Sequence, residues 1–370
     1  MIRSAIGHAE IIKSTQAVAW TTVLSWMPEK DIYYTCEYNR LYEVEGEQQA
    51  ELFVYREGDR LVVYPYLLRS LKESFIVQAL GLPGEWYDIA TPYGYGGPIT
   101  NTPPGPDREK LFAAFSDMFA AVCKERQVLT EFVRFHPLLG NAADYPGVET
   151  RLNRHTAAID LRGQTEADLT EHYCSNHKKN IRKFRSSPLQ VGTASPEEGL
   201  DAFIELYYGT MNDLQANPFY YFPRSYFEST VRHLQGKLEL FEIRDGEHPI
   251  AACLVMHEHP WMHYHLSGWK REYLHWAPTK MLIHAASGWG IERGFEQFHL
   301  GGGYTGDDRL FDFKRGFATH LPPLEYWLGQ RVLFPDLYER FRTKWGSGVN
   351  NDYFPLYRHP ALGSLAETRS

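Results

Sequence analysis

A lysine set among phenylalanines, in Phe313-Lys314-Arg315-Gly316-Phe317, closes a stretch that opens with an apolar strand and three glycines, Gly301-Gly302-Gly303. Glycine lets backbone come close to a ligand because no Cβ stands in the way. Flanking aromatic rings hold the lysine charge in one place. Together these residues make a corner at a sheet end that suits an anion or a developing oxyanion; the plainer alternative is a glycine-rich turn ahead of an edge strand. Between glycines and lysine, Asp307 and Asp308 could take a proton from an amine, directly or through water. Equally they could cap the next segment or pair with Arg309 or Lys314.

Other candidates lie upstream. Lys178, Lys179, Arg182, Lys183 and Arg185 crowd one helical stretch, and Lys178, Arg182 and Arg185 fall on one face at i, i+4 and i+7. That face suits a diphosphate or an RNA backbone, although charge runs are usually solvated. His257, His259, His263 and His265 invite a metal reading, with His263 and His265 on one strand face. Pro260 interrupts the run and only Glu258 could join it, so a histidine-rich hairpin without metal is expected. Cys174 lies near His172 and His177, but no orienting partner for a nucleophile is visible.

The elements that must position these residues repeat. The 370 residues, 43% hydrophobic, suffice for two domains. Glu51-Leu-Phe-Val-Tyr-Arg-Glu-Gly-Asp-Arg reads as a hairpin turn, and Glu239-Leu-Phe-Glu-Ile-Arg-Asp-Gly-Glu-His echoes it. After each hairpin come a helix, from Pro106 to about Arg126 and from Pro278 to about Arg293, and a returning strand, 129–135 and 295–300. The order indicates two copies of one α+β unit, with domains at 1–150 and 151–370 and a basic helical insertion over about 166–212. A helix over 16–27, a strand over 32–38, a C-terminal helix over 334–344, docking of Asp352–Tyr357 and frayed last residues complete the expectation.

Composition excludes some classes. Thirty-eight basic against 46 acidic side chains give a net charge of −8, so the chain is no general polyanion binder and no DNA partner is expected. Cys36, Cys123, Cys174 and Cys253 are widely spaced without a CxxC pair, against zinc or a disulfide framework. The first residues lack a sustained apolar run and nothing approaches the roughly 20 apolar residues of a membrane span, so a soluble cytoplasmic protein is expected.

Hairpin, helix and strand in this order resemble the core of the GNAT acyltransferase fold. Such enzymes grip acyl-CoA pyrophosphate with free amides at a helix start, but here the turns His275-Trp-Ala-Pro-Thr279 and Gly105-Pro-Asp-Arg108 carry proline. The chain looks like a FemAB-type protein, with two tandem GNAT-like domains, each a mixed, largely antiparallel sheet flanked by helices. The resemblance rests on Asp88-Ile-Ala-Thr-Pro-Tyr-Gly-Tyr-Gly-Gly-Pro98, Arg134-Phe-His-Pro137, Asn176-His-Lys-Lys-Asn-Ile-Arg-Lys183, Phe219-Tyr-Tyr-Phe-Pro223, Tyr264-His-Leu-Ser267, Leu300-Gly-Gly-Gly303 and Phe313-Lys-Arg-Gly-Phe317.

The resemblance implies a transferase moving an aminoacyl or related acyl group onto an amine of a peptidoglycan or other cell-envelope precursor. Lys314 maps onto the family's lysine that stabilises the tetrahedral oxyanion, a role worth roughly 2.7–4 kcal/mol, with Asp308 as a second catalytic candidate. Gly301, Gly302 and Gly303 would shape the cavity. Lys178 and Arg182 would hold acceptor phosphates. Tyr220, Tyr221, Arg224 and Tyr264 lie in regions where the family contacts its acceptor, the plainer alternative for the tyrosines being core or interface aromatics. Apart from the resemblance, Tyr93 and Tyr95 in their proline- and glycine-rich loop could line a cleft between domains or belong to a strained loop that caps the first domain. No covalent intermediate and no cofactor are implied beyond a co-substrate, aminoacyl-tRNA or an acyl thioester. Expected partners are an anionic nucleotide- or lipid-linked precursor, charged tRNA and the inner membrane face. Rival readings are an acyl-CoA- or acyl-carrier-dependent N-acyltransferase of polysaccharide or lipid synthesis, and a non-catalytic scaffold in envelope-polymer assembly.

Overall fold

The computed structural model describes residues 2–3, 7–346 and 353–362. The chain folds as two compact units, one built from residues up to Asn153 together with those from Tyr326 on, the other from Arg154 to Glu325.

The first unit holds β1 (Ile2–Arg3), β2 (His8–Lys13), β3 (Gln48–Glu57), β4 (Arg60–Ser70), β5 (Tyr87–Ala90), β6 (Ile99–Thr100) and β7 (Val128–Arg134). Strands β1 to β5 pair antiparallel in chain order, β6 adds to β4, and β7 runs parallel to β5. The helix Pro106–Glu125 supplies the crossover, with Asp107 and Glu109 in its first turn and Lys124 in its last, as the helix dipole favours. Its Leu111, Phe112, Phe115, Phe119 and Val122 recur at helical spacing and bury against Phe53, Tyr64 and Tyr66, each worth about 1.5–3 kcal/mol. Residues 32–38 are not the expected strand. Asp31 and Thr35 accept from the Ile32 and Tyr38 amides and turn the chain into a 3-10 turn, Ile32–Tyr34, and a short helix, Cys36–Arg40. The helix expected over 16–27 spans Ala17–Leu24.

The second unit follows the same plan. After β8 (Glu149–Asp160), whose residues from Arg154 belong here, come β9 (Gln190–Ala194), β10 (Leu238–Asp245), β11 (His248–Glu258), β12 (Trp261–Trp269) and β13 (Gln297–Gly302). Strands β9 to β12 pair antiparallel, β13 runs parallel to β12 after the helix Pro278–Glu292, and β8 closes antiparallel on β13. Each unit thus has one parallel pair, made by the strand after its long helix. The echoed hairpins turn on Gly58 at φ 60° and Gly246 at φ 58°, left-handed positions that require glycine. The expected helical insertion is interrupted: helices Glu166–His172, Ser175–Arg185 and Pro196–Asp213 enclose β9, which is an integral edge strand.

The C-terminal residues correct the expected division at 151–370. Of β14 (Leu324–Val332), Leu328–Val332 pair with β7, and the helix Pro335–Trp345 and the turn Leu356–Arg358 follow. Phe341, Leu356 and Tyr357 bury with Leu71, Ile76, Trp86 and Leu129 of the first unit. The reason is an apolar face on the first unit that its own N-terminal elements leave uncovered. Asp352 and the residues expected to fray lie outside the described residues.

Candidate functional site

The glycine corner sits where two parallel neighbours part. Strands β12 and β13 pair at Trp261 with Gln297, Met262 with Phe298 and His263 with His299, and there the ladder stops, although β12 continues to Trp269 and β13 to Gly302. Irregularities force the separation. The register of β12 against β11 skips at His265, and that of β13 against β8 skips at Leu300. The backbone of Leu300–Gly303 and of Tyr264–Leu266 is therefore released from mutual pairing in the middle of the unit's sheet.

Asp308 builds the loop that follows. Its Oδ2 accepts from the Tyr304 and Thr305 amides at 2.7 and 2.8 Å, and its Oδ1 from the Leu310 and Phe311 amides at 2.9 and 3.2 Å. Although burial opposes it, these backbone donors hold the carboxyl below the usual carboxylate range. A carboxylate so occupied is a poor proton acceptor, so Asp308 is corrected from catalytic base to loop scaffold and cap of the helix Arg309–Arg315. Asp307 is likewise engaged, accepting from the His155 amide at 2.9 Å and facing its Nδ1 at 2.6 Å. Glycine is obligatory at 303, where a Cβ would stand 2.3 Å from the Gly306 carbonyl and 2.4 Å from Asp308.

Two cations converge on this loop. Lys314 Nζ donates to the Gly302 carbonyl at 2.8 Å, and Arg154 Nη1 to the Gly303 and Tyr304 carbonyls at 2.6 and 3.0 Å. The Arg154 Nε is buried and makes no hydrogen bond among the described residues. Burial pulls the Lys314 ammonium down to about 8, Asp308 opposing and Arg154 adding to the effect. A lysine in this range is mostly charged at neutral pH yet can lose its proton just above it. Sequence reasoning missed Arg154, whose surroundings Arg151-Leu-Asn-Arg-His155 read as a polar strand end; only the pairing of Thr156 with Gly302 discloses its position.

Aromatic side chains border the corner. The Tyr220 ring lies 5.6 Å from that of Tyr304, its carbonyl accepts from the Tyr207 hydroxyl at 2.6 Å, and burial, then Tyr304, raises its hydroxyl pKa. Tyr304, also missed from sequence, is 49% exposed and Phe219 60%. The buried Tyr264 hydroxyl has Ser267 beside it without a well-formed hydrogen bond. One residue on, His265 meets the Tyr226 hydroxyl at 2.9 Å and is kept neutral, its pKa pulled down to about 4 by burial and then His263.

Other expected residues stand apart from this corner. Arg224 is exposed and spent on Asp201 and Glu228, so its assignment to substrate is corrected to a surface ion pair. The Tyr221 hydroxyl donates to Asn212 at 3.0 Å. On the basic helix, Lys178 holds the Glu171 carbonyl at 2.7 Å, whereas Lys179 and Arg182 are exposed and unpaired among the described residues. Tyr93 and Tyr95 belong to the first unit. There the Tyr93 carbonyl accepts from Tyr38 at 2.6 Å, and the Tyr95 ring packs at 5.2 Å on Tyr33 and on Tyr326.

The turn ahead of the helix Pro278–Glu292 has Ala277 at φ 53° and proline as the first helical residue. One amide that could face a pyrophosphate is thereby absent.

A family model described as "Acetyltransferase (GNAT) domain" matches residues 172–315. FemX is similar in structure, with a TM-score of 0.67 at 13% identity, over 90% of this chain and 99% of that one. The C-terminal domain of a protein assigned as a lysylphosphatidylglycerol synthetase from Agrobacterium fabrum aligns at 0.54 and 13% identity, over 89% and 97%. A tandem GNAT protein from the clavulanic acid biosynthesis pathway aligns at 0.50 and 12%, over 89% and 99%. No curated protein matches the sequence. The expected FemAB-like, tandem GNAT character is shown as a likeness of fold, and the α+β class with it. Among the described residues no helix is long and apolar enough to cross a membrane.

Proposed function

We propose that this FemAB-like chain, a GNAT-type acyltransferase by fold and family model, moves an aminoacyl or related acyl group onto an amine of an anionic cell-envelope precursor in the cytoplasm. The observation that carries the reading is the Lys314 ammonium held on the Gly302 carbonyl beside Arg154, at the parted ends of β12 and β13. Acyl transfer to an amine puts negative charge on the carbonyl oxygen as the tetrahedral intermediate forms. A cation fixed before the reaction stabilises that charge without reorganising, and Lys314 is so fixed. Arg154, whose buried Nε makes no hydrogen bond among the described residues, adds a second positive centre for the oxyanion or an acceptor phosphate. The exposed rings of Tyr304 and Phe219 offer apolar faces to a sugar or peptide portion.

The likeness of fold to FemX and to the C-terminal domain of a protein assigned as a lysylphosphatidylglycerol synthetase is in keeping with this reading, in which the donor is aminoacyl, the acceptor belongs to the envelope, and charged tRNA and the membrane inner face are the proposed partners. The test is a mass-spectrometric transfer assay of wild type and Lys314→Ala with charged tRNA and a murein precursor. A 10²–10³-fold loss in the variant is expected, and equal turnover removes Lys314 from the mechanism. A second reading, transfer from acyl-CoA, rests on the likeness to the tandem GNAT protein; thermal stabilisation by CoA thioesters and indifference to tRNA would favour it.

A further inference from the structure

The basic helix Ser175–Arg185 buries His177, Ile181 and Phe184 against the second unit and leaves its cations outside. Two of them are occupied, Lys178 by the Glu171 carbonyl and Arg185 by Glu166. Lys179, Arg182 and Lys183, at i, i+3 and i+4, are exposed on one face. The helix carries no acidic residue.

Lys183 ties this face to a second element. Its Nζ donates to the His275 carbonyl at 2.7 Å and lies 5.2 Å from the centre of the Trp276 ring. Both residues belong to the 3-10 turn Arg271–Trp276, which leads into the helix Pro278–Glu292 and buries none of its residues fully. The turn is firmly held. The Tyr273 amide donates to the Lys270 carbonyl at 3.1 Å, the Ala277 amide to that of Leu274 at 2.9 Å, and the Tyr273 hydroxyl to Asp245 at 2.8 Å. Tyr273 and Trp276 pack on the unit's core, whereas Leu274 between them is 46% exposed. Lys270 and Arg271 open the turn, and Glu272 is its one acidic residue. In a chain of net charge −8 this is a local positive surface with an aliphatic tip.

We propose that the helix Ser175–Arg185 and the turn Arg271–Trp276 form a docking surface for an anionic phospholipid bilayer. Negative headgroups attract the exposed lysines and arginines. Leu274 enters the boundary between headgroups and acyl chains, with Trp276 beside it at the level where tryptophan favours the interface. An RNA backbone would use the cations but has no place for an aliphatic tip, so the pairing of the two favours lipid. One small apolar tip with a few cations gives reversible attachment. The surface rests on the envelope acceptor proposed above for its choice of membrane, and it names the residues that make the contact.

Wild type, the double variant Lys179→Glu/Arg182→Glu and Leu274→Ala would be floated with vesicles of phosphatidylglycerol and phosphatidylcholine and with vesicles of phosphatidylcholine alone, and titrated in parallel with total tRNA. Wild type is expected to bind the anionic vesicles at least about tenfold more tightly than the neutral ones, and the double variant to lose at least about tenfold. Leu274→Ala keeps every charge and should still lose roughly threefold or more, because less apolar surface leaves water. Equal binding of wild type to both vesicles overturns the proposal, as does wild-type flotation by the double variant or by Leu274→Ala. Binding of tRNA without binding of vesicles overturns it too, and assigns the cations to RNA. Flotation involves no acyl donor or acceptor, so its failure leaves the transfer reading standing, and failure of the transfer assay leaves this surface standing.

Discussion

Lys314 and Gly302 meet through a single hydrogen bond, 2.8 Å from ammonium to carbonyl oxygen, that anchors a cation at the end of β13. The carbonyl is available because β13 has left β12 three residues earlier. Burial has drawn the ammonium down to about 8, Asp308 only partly opposing it, so the group is charged at neutral pH and titrates within reach of assay.

That value gives a pH signature. If the charged form stabilises the oxyanion, kcat declines as pH rises through about 8. Lys314→Arg cannot lose its charge in this range, so its profile should lack that decline, even at a lower plateau. Identical falling limbs in both would assign the titration elsewhere.

Stability should respond in the opposite sense. A lysine whose folded pKa is lowered costs stability fully below the folded value, and that cost fades as pH rises toward the unfolded one. Lys314→Met is therefore expected to gain in Tm over wild type at pH 7, and the difference should shrink between pH 8 and about 10.5. A pH-independent difference in Tm would show that the shift is absent.

Asp308 holds four amides, so its removal should act on the loop. Asp308→Ala is expected to cost about 2 kcal/mol and to lower activity by freeing the glycine corner. Asp308→Asn, which keeps one acceptor oxygen, should fall between. Urea titration beside the transfer assay checks both; if Asp308→Asn loses all activity at wild-type stability, the carboxylate has a chemical role after all.

The corner was legible where composition is local. Gly301–Gly303, Phe313-Lys314 and the echoed Gly58 and Gly246 turns announce themselves because glycine conformation and flanking aromatics are properties of short segments. Arg154 and Tyr304 were not, since each acquires its role from partners over a hundred residues away or from a loop conformation set by Asp308. Arg224 misled for a related reason: a cation in sequence does not disclose the two carboxylates that occupy it. The membership of the C-terminal residues was hidden too, because β14 finds its partner β7 across the whole second unit.

That return is locked by a buried carboxylate. Asp88, fully buried on β5, accepts from Arg69 at 2.8 Å, from Arg358 at 2.5 and 2.9 Å and from the Tyr357 hydroxyl at 3.0 Å. Burial opposes ionisation, but the two guanidinium groups prevail and keep the carboxyl below its ordinary value. Asp88→Asn leaves both arginines without their counter-charge, which for a buried pair costs about 3–5 kcal/mol. The expected result is a lower Tm, with proteolysis beginning around residues 353–362, where Tyr357 and Arg358 have lost their anchor. In wild type the carboxylate's contribution is present above the unfolded pKa and lost as pH falls through the lower folded value. The variant's deficit should therefore narrow in acid, and a deficit constant down to pH 3 would mean that packing, not charge, holds the segment.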